Sequence, residues 1–77
     1  MSREYHLKIK YPFNGNLDLD EKAIEIAQLF SGECGDSGTG FRWRDLGFSF
    51  QSVELGEQAR REFVSEGFLI RKLQVYY

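Results

Sequence analysis

The sequence predicts an α+β domain whose elements follow one another as β-α-β-β-α-β and fill all 77 residues. Three observations predict it. Tyr5, Leu7, Ile9 and Tyr11 alternate with His6, Lys8 and Lys10, the period of a strand with one apolar face and one basic, solvated face. Two segments, near residues 19–31 and 53–66, instead repeat their apolar residues at helical spacing. Two further alternating runs, one reaching Phe50 and one reaching Tyr77, supply later strands.

Each element has a local reason. Pro12 lacks an amide proton and can end the first strand, and Asn14-Gly15-Asn16 supplies turn chemistry. The first helix should begin near residue 19. Asp18 and Glu21 have capping-box spacing, while Asp20, with Leu19 and Ile24 as a hydrophobic staple, is a competing start. Ala23, Ile26, Ala27 and Phe30 share its apolar face, and Gly32 is a natural stop. Glycines at 32, 35, 38 and 40 make the next stretch a short, weak edge strand running into a loop. Phe41 and Trp43 alternate in one phase and Leu46, Phe48 and Phe50 in the other, which predicts a turn or bulge near Arg44-Asp45 and a third strand over 45–51. Ser52 can cap the second helix, with Glu54 near its positive end, Leu55, Ala59 and Phe63 as its buried stripe and Gly67 closing it. Residues 68–77 are rich in strand formers, with Leu73, Val75 and Tyr77 in one phase.

Two split βαβ units connected this way give a four-stranded antiparallel sheet of order 4-1-3-2 with both helices on one face, the ferredoxin-like arrangement, as one domain over 1–77. Tyr5, Leu7, Ile9, Leu46, Phe48, Phe50, Leu73 and Val75 should then meet Ala23, Ile26, Ala27, Phe30, Leu55, Ala59 and Phe63 in a single core. His6, Lys8, Lys10, Ser49, Gln51, Lys72, Gln74 and Tyr76 are left on the open side.

Composition narrows the setting. A lone cysteine, Cys34, forms no internal disulfide, and no cysteine-histidine spacing suits zinc, so no metal or cofactor is expected and a reducing, cytoplasmic compartment is. Met1 to Lys10 reads as a charged strand rather than a signal peptide, and no apolar run approaches bilayer length, so no membrane association is expected. The net charge of −2 argues against indiscriminate nucleic-acid binding. Both helices are acidic: Asp18, Asp20, Glu21 and Glu25 in the first, Glu54, Glu57, Glu62 and Glu66 in the second.

No segment carries a catalytic constellation. The run Gly32 to Gly40 lacks the lysine and hydroxyl residue opening a helix that a phosphate loop requires, and a strand follows it. Gly47-Phe-Ser-Phe-Gln-Ser-Val53 resembles the RNP1 segment of RNA-recognition motifs over seven residues. That resemblance implies outward aromatics, whereas the period of two turns Phe48 and Phe50 inward. Cys34 has no base beside it, and His6 reads as a surface residue.

Phe41, Arg42, Trp43 and Arg44 form a basic-aromatic cluster suited to gripping a partner. The leading expectation is therefore a small non-catalytic protein-binding or regulatory module, of inhibitor or adaptor type, acting through this cluster and the glycine-rich loop before it, a sheet edge or the acidic helices. A second is nucleic-acid binding through Lys8, Lys10, Lys72, Arg42 and Arg44 on the open face. A third is a small-molecule sensor or small enzyme. The terminal strand, at a sheet edge, could also pair with a second copy as a homodimer.

Overall fold

In the computed structural model, which describes residues 4–13, 18–40 and 42–76, the elements are β1 (Glu4–Pro12), α1 (Asp18–Leu29), β2 (Glu33–Gly40), β3 (Trp43–Phe50), α2 (Val53–Ser65) and β4 (Leu69–Tyr76). The four strands form one antiparallel sheet ordered β2-β3-β1-β4, which is 4-1-3-2 read from the other edge. The expected turn at Asn14-Gly15-Asn16, the placement of Phe41 and the side chains of Tyr76 and Tyr77 lie outside the described residues.

Alternation in β1 sets the layers. Tyr5, Leu7, Ile9 and Tyr11 are buried, and directly opposite them on β3 stand Phe50, Phe48, Leu46 and Arg44. With Ala23, Ile26 and Ala27 of α1 and Ala59 and Phe63 of α2 they make a single core, completed by Phe68. Phe48 lies nearly parallel to Phe63, and Phe68 meets both Phe63 and Tyr11 edge-on. In α2 the side chain of Gly56 is absent for a reason: a Cβ there would collide with the Tyr5 ring.

The helix ends differ in how well they were foreseen. Ser52 caps α2, its hydroxyl accepting from the Leu55 N–H at 3.0 Å. Gly67, at φ 93°, ends it in a Schellman motif: Phe68 N–H donates to Phe63 O and Gly67 N–H to Val64 O, with the two phenylalanines in contact. In α1, Asp18 is already helical and Asp20 is turned into the protein, so neither aspartate is the cap. Leu19 and Ile24, the expected staple, are exposed. The left-handed residue that ends α1 is Ser31 (φ 60°), one position before Gly32, and Gly32 N–H donates to Ala27 O at 2.8 Å.

Three expectations about the strands are corrected. β2 is a full eight-residue strand, hydrogen-bonded to β3 along its length, although every one of its residues is exposed. No turn falls at Arg44-Asp45. Gly40 pairs with Trp43, and β3 runs unbroken from Trp43 to Phe50. The apparent phase change arises because Trp43 faces away from the core. Leu73 keeps the helix-side register opposite Leu7 but is 42 % exposed, because β4 lies at the sheet edge. Phe30 and Val75 pack against the core only partly, and Leu55 is half-buried.

Candidate functional site

The face of the sheet away from the helices is uncovered, and cross-strand register fixes what stands on it. Paired across β1 and β3 are His6 with Ser49, Lys8 with Gly47, Lys10 with Asp45, and Pro12 with Trp43. On the β4 side Lys10 is opposite Leu69 and Lys8 is opposite Lys72. One end of this face is therefore aromatic and apolar. Trp43 is 41 % exposed, Lys10 Nζ sits 5.1 Å from its ring centroid, and Leu69 is 47 % exposed beside them. Arg71 reaches over to pair with Asp45, fixing the charged rim of this patch.

Within the cluster foreseen at 41–44, Trp43 and Arg44 stand on opposite faces of the sheet. Trp43 faces the open side, but Arg44, its neighbour, points the other way, as adjacent strand residues must. Arg44 Nε donates to Asp20 Oδ2 at 2.7 Å and Nη1 to Thr39 Oγ1 at 2.6 Å, while its Cζ stands 5.7 Å from the Phe13 ring centroid. Tyr11 O–H donates to the other oxygen of Asp20, whose side chain is almost wholly buried. Arg44 is thus a structural residue tying β3 to α1. Arg42 is exposed at the hairpin tip with φ 67°, its carbonyl accepting from Phe13 N–H.

A matching device sits at the other end of β1. Tyr5 O–H donates to Glu57, and Arg60 Nε donates to the same carboxylate at 2.7 Å, joining the strand to α2. Hydrogen bonds from Arg60 and then Tyr5 hold the Glu57 carboxyl below its ordinary range. Burial first, and the bonded carboxylate second, push both Tyr5 and Tyr11 well above the usual phenol value.

The basic surface foreseen for nucleic acid is also altered. Of Lys8, Lys10, Lys72, Arg42 and Arg44, the last is turned inward, Lys8 Nζ is 3.0 Å from Asp36 Oδ2, and Lys10 lies beside Asp45. Glu4, Glu33, Asp36 and Asp45 share this face by register, so it is charge-mixed rather than basic. Sequence reasoning missed Glu33, Asp36 and Asp45 because β2 was read as a short strand running into a loop and a turn or bulge was expected near Arg44-Asp45. Phe48 and Phe50, 2 % and 1 % exposed, are on the helix side and present no ring for base stacking.

Chemistry is sparse. The Cys34 thiol is pushed up by desolvation and then by the Asp36 charge, the opposite of nucleophile activation. Among the described residues no three His, Cys, Asp or Glu side chains converge to hold a metal, and no helix is long and apolar enough to cross a membrane. No family model, no curated protein and no solved structure matches this chain.

Proposed function

We propose that the chain is a non-catalytic protein-binding module of ferredoxin-like arrangement that docks its partner on the open sheet face at Trp43. The observation that carries this reading is the position of that indole: 41 % exposed, on the uncovered side, with Lys10 over its ring and Leu69 nearby. Exposed tryptophans beside a cation and a charged rim are the residues that dominate protein interfaces. The lone Cys34 fits a cytoplasmic setting for such a module.

The test is partner capture from a native extract by the intact chain and two variants. Trp43→Ala should lose about 2 kcal/mol or more of binding, roughly thirtyfold in Kd, while Leu29→Ala, exposed on α1, should bind as the parent does. Because Trp43 is the single tryptophan, its emission should shift to the blue when the isolated partner is added. Equal capture by the parent and Trp43→Ala would overturn the reading. An anisotropy titration with single-stranded RNA and DNA at low ionic strength should stay flat; steeply salt-dependent binding would instead favour a nucleic-acid role.

A further inference from the structure

The open face has a second feature, away from Trp43. One residue from each strand stands in a single line across the sheet: Asp36 opposite Gly47, Gly47 opposite Lys8, Lys8 opposite Lys72. Both edge strands are irregular at this line. β2 carries an extra residue, Gly35, just before Asp36, and β4 carries Arg71 just before Lys72. Without the first bulge, Asp36 would stand opposite Leu46 and face the helices; without the second, Lys72 would stand opposite Leu7 and do the same. Two separate distortions thus bring a carboxylate and an ammonium to one row of the uncovered face.

The row borders a depression of about 380 Å³ lined in part by Gly35 and Gly47, and the Asp36 carboxylate lies over Gly47, in the space a side chain there would fill. His6, Lys8, Ser49 and Lys72 are among the residues around it. Like charges directly opposite on neighbouring strands repel, so the Lys8–Lys72 pair is unfavourable unless an anion answers it. Asp36 answers for Lys8, and Lys72 has no carboxylate within ion-pair distance among the described residues. The row therefore carries one cation more than its carboxylates match.

We propose that this depression binds a small free oxyanion, the phosphate or carboxylate group of a metabolite, between Lys72 and Lys8, with the Ser49 hydroxyl as a further donor and Asp36 giving up Lys8 to it. The site uses none of the residues assigned to partner docking, so the two readings fail separately: Trp43→Ala should leave oxyanion binding unchanged.

Amide-resolved NMR titration of the intact chain with sodium phosphate and with sodium citrate, against sodium chloride at matched ionic strength, tests it. Saturable shifts at Gly35, Gly47 and Ser49 in the millimolar range are expected. Lys72→Gln should weaken binding about tenfold, the loss of one charge-assisted bond, and Asp36→Asn should tighten it by removing the competing carboxylate. Both positions are exposed, and unchanged spectral dispersion verifies that the variants fold. Shifts matched by chloride, a Lys72→Gln variant that binds like the parent, or binding of an RNA oligonucleotide with no binding of phosphate or citrate would each overturn the proposal.

Discussion

Replacing Arg44 by alanine should damage the fold before it damages any binding. The side chain supplies two bonds, to Asp20 at 2.7 Å and to Thr39 at 2.6 Å, and its removal strips the Asp20 carboxylate, only 8 % exposed, of its cationic partner while the Tyr11 hydroxyl still donates to it. Breaking a fully buried ion pair from one side costs about 3–5 kcal/mol. Here the two side chains retain 20 % and 12 % exposure, so solvent recovers part of that and the expected loss is about 2–3 kcal/mol. A domain of this length has roughly 4–12 kcal/mol in total. The loss should lower the melting temperature by about 10–20 °C, read by far-UV circular dichroism and by the urea midpoint. Removing both charges should be milder than removing one, so Asp20→Leu with Arg44→Met should be more stable than the sum of the single changes implies. A loss below about 0.5 kcal/mol for Arg44→Ala, or strict additivity in the cycle, would refute the reasoning.

Three other outcomes follow from local geometry. Tyr5 and Tyr11 are neutral in a fold that raises their ionisation above the ordinary value of about 10, so their contribution is complete below that pH and is lost as pH rises through the raised values; two of the four tyrosines should ionise, by ultraviolet absorbance, only together with unfolding. Glu57 has the opposite sign: its contribution is present above about pH 4.3 and is lost as pH falls through its lowered value, and Glu57→Gln should flatten the acid limb of urea midpoint against pH. Ser31→Gly should stabilise the chain by about 0.5–1 kcal/mol by relieving a left-handed residue, whereas Gly56→Ala should destabilise it by about 1–2 kcal/mol, since the fully buried Tyr5 ring outweighs the gain in helix propensity; thermal melts of both separate these signs.

What the sequence revealed was whatever buries apolar side chains at a regular period. β1, the inward Phe48 and Phe50, both helix faces and the Ser52 and Gly67 ends of α2 were legible for that reason. β2 was legible as an edge strand but not in its full length: with every residue exposed it has no side chains to bury, so it leaves no period in its residues. Trp43 misled about the turn: its alternation with Phe41 was read as a change of phase near Arg44-Asp45, whereas it stands on the open face of the same unbroken strand. Asp20 looked like a helix-start charge; only the meeting of Tyr11 and Arg44 shows why a carboxylate is enclosed there. Of the row across the open face, Lys8 and Lys72 were placed correctly by alternation, whereas Asp36 was hidden, since the bulge at Gly35 changes which side it takes without altering composition.

The two tyrosine-carboxylate-arginine clusters make β1 the element to which both helices are fastened, while β2 contributes no buried side chain at all. Divergence through descent is thereby rationed unequally along the chain. Substitutions can accumulate in residues 33–40 with little penalty to folding, whereas Tyr5 must change in step with Gly56 and Glu57, and Tyr11 in step with Asp20 and Arg44. Distant kin of this chain would be traced through those two correlated triplets, and an overall percentage of matching positions would miss them.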